Sequence, residues 1–311
     1  MNAINETNEI NQMNQTNETN VLWLAWFTTA RDQAALDLLK AAWEKKKEGF
    51  YNLSIPVVFV SRERGESRES DAFMDWAEGQ GLTIEAFSAR RFQPEQRKGD
   101  PVAWREAYDR GVGRLLERYR FDWIFLAGYM WIVSPVLIRK FRIINLHPAP
   151  PGGPQGTWQE VIWETLRKRL PEAGAQIHVV TEALDEGPPL TYVTFPLNRI
   201  EWAPWWLELE EKIKRKGWDA IQSQEGEEEP FFTQVRAREL SLEFPLILWT
   251  LKTLESGRLA VQNHRVLWNG EWLPRGYCLN GEIMEEGRRK REEGSKNAQL
   301  LQKEADFSDM E

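Results

Sequence analysis

The sequence predicts an α/β fold, a doubly wound and mostly parallel sheet flanked by helices of the Rossmann-like kind. Three observations carry this. From residue 21 onward, short apolar runs alternate strictly with amphipathic segments of helical period. The segments are bounded by start and stop signals such as Asp100-Pro101 and terminal glycines. Strand and helix in this order imply parallel strands joined by right-handed crossovers, with helices on both faces. At 311 residues the chain is long enough to bury a sizeable core in one large domain or two ordinary ones.

In order, "VLWLAWF" (21–27) reads as a buried strand and 31–47 as a helix with a Leu/Ala/Trp face and a basic end. "IPVVFV" (55–60) is the second strand, 69–81 a helix stopped by glycine, and "LTIEAF" (82–87) the third strand. A long helix over 100–119 precedes strands "DWIFLAGY" (122–129) and "RIINLH" (142–147), which a short helix after Ser-Pro separates. A further helix begins at Thr157, and "GAQIHVVT" and "PLTYVTFPL" can pair as a hairpin or long meander. Residues 198–238 read as irregular, with an acidic run suited to a solvated surface. "SLEFPLILWTLKTLESGRLAV" supplies a closing helix, a glycine stop and a last strand. The expected division is a disordered Asn-rich leader over 1–20, a catalytic domain over 21–281 interrupted at about 198–238, and a disordered charged tail over 282–311.

Composition narrows the function. The formal charge of −8 and pI near 5.3 lack the positive field that draws nucleic acid. No run approaches eighteen apolar residues, so no membrane span is expected. The leader places Asn at every third position from Asn2 to Asn20, without the apolar and basic segments of a signal or transit peptide. The single Cys278 can form no internal disulfide and leaves no Cys cluster for zinc, which suits a reducing cytoplasm. Sixteen tryptophans at no fixed period read as packing residues.

Ligands of open α/β sheets sit outside the carboxyl ends of the strands, and "IINLHPAPPGGPQGTW" (143–158) puts Asn145 and His147 at such an end. Taken alone, an Asn at a strand end is a common turn former and a His a common half-buried residue. Asp185, in the loop of "TEALDEGPPL", adds a carboxylate. One amide, one imidazole and one carboxylate together suit transfer of an acyl-type carbon to an amine.

"FLAGYMWIVSP", "IINLHPAPPGGPQG" and "IHVVTEALDEGPPL" together resemble the folate-dependent formyltransferases, over most of residues 21–196 and 240–278. The resemblance implies transfer of a formyl group from 10-formyltetrahydrofolate, a co-substrate, to the amine of glycinamide ribonucleotide, without a metal. It implies a catalytic trio of Asn145, His147 and Asp185, with folate along Met130, Trp131, Ile132 and Val133 and along Thr181, Glu182 and Leu184. It also implies Arg105 for the folate carboxylates, where the residue alone reads as a surface helix arginine near Glu106 or Asp109. His178 has a family counterpart beside the site but reads mainly as a core strand histidine, and His264 as a turn residue.

Where the family has a glycine- and serine-rich phosphate loop, this chain has "WFTTARDQAAL". Thr28 and Thr29 are expected to supply hydroxyls there, Arg31 a bidentate charge and the helix amino-terminus its dipole, with Ala30 counted among the acceptor-binding residues. Gly156 and Glu239 complete the expected acceptor site. A formyltransferase acting on another amine, such as an amino sugar nucleotide or aminoacyl-tRNA, and a non-catalytic folate-binding protein are the alternatives. Small-molecule partners, no nucleic acid, no membrane, and a monomer or homodimer complete the reading.

Overall fold

The computed structural model describes residues 20–262 and 265–308, so residues 1–19 of the leader and His264 lie outside the described residues. In chain order the elements are β1 (Leu22–Thr28), α1 (Gln33–Lys47), β2 (Leu53–Val60), α2 (Arg68–Gly79), β3 (Ile84–Ala86), α3 (Pro94–Gly99), α4 (Pro101–Leu116), β4 (Trp123–Leu126), α5 (Pro135–Ile138) and β5 (Ile143–His147). There follow α6 (Trp158–Arg167), β6 (Glu172–Val179), β7 (Pro189–Pro196), α7 (Ala203–Lys216), α8 (Trp218–Gln224), α9 (Pro230–Glu255), β8 (Leu259–Gln262), β9 (Arg265–Trp268), β10 (Glu271–Trp272), β11 (Tyr277–Cys278) and α10 (Asn280–Ser308).

Eight strands form one sheet in the order β11-β7-β6-β5-β4-β1-β2-β3. The pairs are parallel except β5–β6 and β6–β7, so the expected hairpin of β6 and β7 completes a mixed but mostly parallel sheet. From β1 the chain proceeds outward through β2 and β3, then returns to place β4 and β5 on the other side. The β1–β4 boundary is therefore the topological switch point, where a ligand crevice opens.

Successive side chains of β1 serve opposite faces, which is why the run is apolar throughout. Leu24 and Trp26 join a core with Leu39 of α1, Phe73 of α2, Ile162 of α6 and Phe232 of α9. Ala25 and Phe27 join a second core with Tyr108 and Val112 of α4 and Leu137 of α5. The helices begin where side chains satisfy their first free N–H groups. Asp32 accepts from Ala35 N at 3.2 Å, Asp100 from Ala103 N at 3.0 Å, and Thr157 with Glu160 forms a capping box.

Three sequence expectations are corrected. Residues 198–238 are not irregular: they form a short 3₁₀ turn at 200–202, helices α7 and α8, a second 3₁₀ turn and the start of α9. Leu209 and Ile221 are buried, and Trp202 and Trp206 pack on Phe231. The acidic run is held by Lys212, whose Nζ lies within 3.1 Å of Glu208, Glu225 and Glu229.

The charged tail, expected to be disordered from residue 282, is helical over Asn280–Ser308. Its Glu, Lys, Arg, Ala, Leu and Gln content favours helix. Glu286 docks its first turns by accepting from Trp249 Nε1 at 2.7 Å. The expected last strand, β8, pairs only within a separate antiparallel sheet of β8, β9 and β10. The edge of the main sheet is closed instead by the two-residue β11 against Thr191 and Tyr192 of β7. No described helix is long and apolar enough to cross a membrane.

Candidate active site

Register brings the functional residues to one edge. Phe27 of β1 pairs with Leu126 of β4, and Leu126 with Asn145 of β5, so the three strands end side by side. Across the antiparallel pair, Asn145 faces His178 of β6, and His147 faces Gln176. The β6–β7 loop then returns over these residues and brings Asp185 between the two histidines.

His147 is 3% exposed, and its Nε2 lies 2.9 Å from Pro154 O. A carbonyl only accepts, so Nε2 carries the hydrogen and Nδ1 faces Asp185 Oδ2 at 3.8 Å. The proline-rich loop after His147 thus fixes its tautomer. His178 is 1% exposed and its Nδ1 donates to Val179 O at 3.1 Å, leaving Nε2 as a bare acceptor 3.7 Å from Asp185 Oδ1. Burial pushes this imidazole pKa down, which keeps it neutral. Its Nε2 has no hydrogen-bond partner among the described residues. Two acceptors facing each other at that distance call for a donor between them.

Asp185 sits at φ +57°, a left-handed conformation that Asp tolerates better than most residues. Gly187 makes this possible, because a Cβ there would overlap the Val179 carbonyl.

A cavity of 350 Å³ opens at the β4 and β5 ends. Leu126, Tyr129 and the Met130–Val133 segment form one wall; Asn145, Gly156, Thr157 and His178 form its floor; Val180, Thr181, Glu182, Leu184 and Asp185 form the other wall. Met130, Ile132 and Leu184 are about half exposed at its rim, at 53%, 48% and 59%. The N–H groups of Trp131, Ile132 and Val133 make no hydrogen bond among the described residues, so an edge of ligand donors and acceptors can pair there. A size of a few hundred Å³, an apolar rim and a few convergent polar groups suit a flat heteroaromatic ligand. A second cavity of 550 Å³ meets the first at Asp185 and is lined by His147, Gly152, Gly153, Gln176 and Arg275.

The structure therefore brings Asn145, His147 and Asp185 together, with Met130–Val133, Thr181, Glu182, Leu184 and Gly156 around them. Arg105 does not line the cavity. It stands in α4 near Asp109, whose buried carboxyl is pushed up to about 6 by burial, opposed by a 2.6 Å bond from Ser134 N and by the Arg105 charge.

The expected phosphate cradle is otherwise engaged. Thr28 Oγ1 accepts from Ala30 N at 3.0 Å, and Thr29 Oγ1 accepts from Met130 N at 2.9 Å and bonds Ser61 Oγ at 3.1 Å. Both threonines and Ala30 are buried, and Asp32 already caps α1 beside the exposed Arg31. The Thr29 hydroxyl thus ties the β1 end to the β4 end and to Ser61, while that of Thr28 closes its own turn, and neither faces solvent. Glu239 is not a surface ligand but lies 1% exposed in α9, its carboxyl pushed up to about 9 by burial despite Arg236 at 3.7 Å.

Leu126, Tyr129, Thr157 and Val180 also line the cavity, beyond the residues expected from the sequence. The first two stand in the quoted strand end, but which face a loop residue presents is not written in a period. No group of three or more His, Cys, Asp or Glu side chains poised for a metal occurs among the described residues.

With this geometry, residues 64–200 match the family described as formyl transferase. The match places the Asn145, His147 and Asp185 segments inside a region similar to formyl transferases. The particular relatives are phosphoribosylglycinamide formyltransferases. That of Escherichia coli is 29% identical over 134 residues, covering 42% of this chain and 58% of the relative. That of Schizosaccharomyces pombe is 33% identical over 111 residues, covering 33% and 54%.

The chain thus spans somewhat more than half the length of the curated relatives it matches. Among solved structures, phosphoribosylglycinamide formyltransferase from Coxiella burnetii superposes with a TM-score of 0.56 at 17% identity, over 83% of this chain and 97% of that one. Glycinamide ribonucleotide transformylase 1 from Symbiobacterium toebii gives 0.54 at 19% identity, over 81% and 95%. These likenesses establish the fold.

Proposed function

We propose that the protein transfers the formyl group of 10-formyltetrahydrofolate to the amine of glycinamide ribonucleotide, a step of purine biosynthesis. Asn145 and Asp185 at one end of a 350 Å³ cavity, with His147 3.8 Å from Asp185 on its far side, carry this reading. The region matched to formyl transferases contains all three residues, and the names of the relatives supply the acceptor.

The pterin occupies the cavity against Met130–Val133 and the 181–185 loop, with its formyl carbon toward Asn145. The acceptor nitrogen attacks that carbon, a C–N bond forms and the carbonyl electrons move to oxygen. The Asn145 amide, which makes no hydrogen bond among the described residues, donates to this oxyanion, and a protonated His147 adds a charge-assisted donor. Asp185, directly or through water, takes the proton from the attacking nitrogen and passes it to the folate N10 as the C–N10 bond breaks. His178, neutral and bare at Nε2, orients the donor that Asp185 shares. A reducing cytoplasm suits the exposed free Cys278, and the partners are small molecules acting on a monomer or homodimer.

One observation favours a second reading, formyl transfer to a different amine. The inward hydroxyls of Thr28 and Thr29 and the Asp32 cap leave Arg31 as the main cation at the expected phosphate position. An acceptor with its anionic group elsewhere, such as an amino sugar nucleotide, fits that end better.

The test is formyl transfer from 10-formyltetrahydrofolate by purified protein, with glycinamide ribonucleotide and an amino sugar nucleotide as rival acceptors. Removing one oxyanion donor costs about 10²–10³ in kcat, so Asn145→Ala should fall by that factor while folate affinity stays within about twofold. Turnover with neither acceptor, alongside intact folate binding, would overturn the enzymatic reading.

A further inference from the structure

Asp185 lines three cavities, and the lysines and arginines that share them are Arg167 and Lys168 in a cavity of 890 Å³ beside α6 and Arg275 in the 550 Å³ cavity beyond His147. Asp219 engages Arg167 at 3.6 Å, and Glu164 engages Lys168 at 2.7 Å. Arg31, at the position expected for a phosphate, pairs with Asp32 at 3.4 Å and lines none of the three. Arg275 makes no ion pair and no side-chain hydrogen bond among the described residues. It is the uncommitted cation next to the reacting groups.

Local sequence sets Arg275 there. Residues 273–276 turn, with Gly276 N donating to Leu273 O at 3.3 Å. Gly276, at φ +72°, lies so close to β7 that a Cβ would stand 2.7 Å from Pro189 O, so a larger residue would push the turn away. Tyr277 then pairs with Thr191. The turn is thus pinned on the first residues of β7, and Arg275 is its exposed corner at the cavity mouth.

A second polar group without a partner lines the same cavity. Gln176 pairs with His147 across β5 and β6, so their side chains leave one face of the sheet. It is 7% exposed and its amide makes no side-chain hydrogen bond among the described residues. A buried amide with unmet hydrogen bonds carries a free-energy cost that a polar ligand removes. Glu186 adds a carboxylate to the lining, while Gly152 and Gly153 add no side chain and leave the space open.

We propose that this cavity is the acceptor site and that Arg275 is the specificity-determining residue that binds the phosphate of a phosphorylated sugar amine. The inference rests on the formyl-transfer reading above and moves the phosphate from the β1–α1 end to the β7–β11 edge. His147 and Asp185 line one part of the cavity, where the attacking amine gives up its proton. From β5 to β11 is three strand spacings, about 14 Å, and the arginine side chain shortens that gap to the length of a sugar with its amine arm. The guanidinium fork matches phosphate oxygens two at a time, and Gln176 and Glu186 offer partners for the sugar hydroxyls.

The experiment measures formyl transfer to glycinamide ribonucleotide and to its dephosphorylated nucleoside by the wild type, Arg275→Gln, Arg275→Lys and Arg31→Gln. The wild type should show a KM roughly tenfold lower for the phosphorylated acceptor, the scale of one or two charge-assisted hydrogen bonds. Arg275→Gln should lose most of that ratio by raising KM for the ribonucleotide and not for the nucleoside. Arg275→Lys, which keeps the charge without the fork, should recover part of it, and Arg31→Gln should retain it. Loss of the ratio in Arg31→Gln with retention in Arg275→Gln overturns the inference, returns the phosphate to the β1–α1 end and leaves the formyl-transfer reading standing.

Calorimetry with ribose 5-phosphate reads the same site without turnover. The wild type should bind it roughly tenfold more tightly than Arg275→Gln, and equal affinities, or no binding by the wild type, overturn the inference. A wild type that binds ribose 5-phosphate through Arg275 but formylates neither acceptor supports the phosphate site and overturns the acceptor named above.

Discussion

At the scale of single residues, the site depends on one carboxylate held in a backbone conformation few residues accept. Asp185 at φ +57° and Gly187 against Val179 O together bring the β6–β7 loop down onto the two histidines. Gly187→Ala places a methyl group where the carbonyl oxygen stands, so the loop must lift. An ångström of displacement at a reacting group costs about 10²-fold. The expected result is a loss of kcat of that order with folate affinity much less affected. Equal activity in Gly187→Ala would show that Asp185 need not be held there. Asn145, His147 and Asp185 were readable as a set because each occupies a strand end or turn with a recognisable spacing. The inward turn of Thr29 is not readable, since a threonine at a strand end bonds outward or inward according to neighbours that here lie 32 and 101 residues away, Ser61 and Met130.

At the scale of elements, the helices α7 and α8 and the start of α9 form a subassembly over a stretch whose sequence alone reads as irregular. Lys212 is the charge at its centre, with its side chain 13% exposed beside Glu229 at 1%. Removing one partner of a buried pair leaves an uncompensated charge, at a cost of about 3–5 kcal/mol. Lys212→Met should therefore destabilise the protein by about 3 kcal/mol in urea unfolding, while replacing the exposed Lys98 of the Lys98–Glu95 pair should change stability by less than about 1 kcal/mol.

Glu239 of α9 gives the fold a pH signature. Its carboxyl is raised by burial from 4.5 to about 9, so the folded state binds more protons than the unfolded one between those values. Its contribution to stability is therefore complete below pH 4.5 and declines as pH rises toward 9, by about 1.4 kcal/mol per pH unit at most. Glu239→Gln lacks this titration, so its stability relative to the wild type should rise between pH 6 and pH 8. A difference that does not change with pH would show that Glu239 is not held neutral. The helical period of this region was obscured because apolar residues of α7 and α8 cover the far side of α9 and β7, where aromatic packing on Phe195 and Phe231, rather than a single stripe, sets the burial.

At the scale of the whole molecule, the site lies beside the switch point of the sheet, where β1 and β4 leave in opposite directions. Its lining comes from β4, the β4–α5 loop, β5, the two residues before α6, β6 and the β6–β7 loop, so a ligand there couples elements from residue 126 to residue 185. A folate at about 100 times its Kd adds about 2.7 kcal/mol to the folded state. For a chain of this size that corresponds to a rise in Tm of about 5 °C. Asn145→Ala should show the same rise as the wild type, because its amide acts on the transition state, and a lost shift in that variant would mean that it binds the ground state instead.

The alternation of apolar and amphipathic segments settles much of this architecture without reference to contacts, because burial on both faces of a parallel sheet leaves a local mark on every strand. The strand-end positions of Asn145 and His147 are local for the same reason. Which groups meet across the molecule is not local. The placing of Asp185 between His147 and His178, the burial of Glu239, the helical form of 198–238 and the stacking of Arg97 on Trp104 and Trp131 each join segments distant in the chain. Such contacts depend on how the crossovers pack, and packing is satisfied by shape and partner rather than by the period of a single segment.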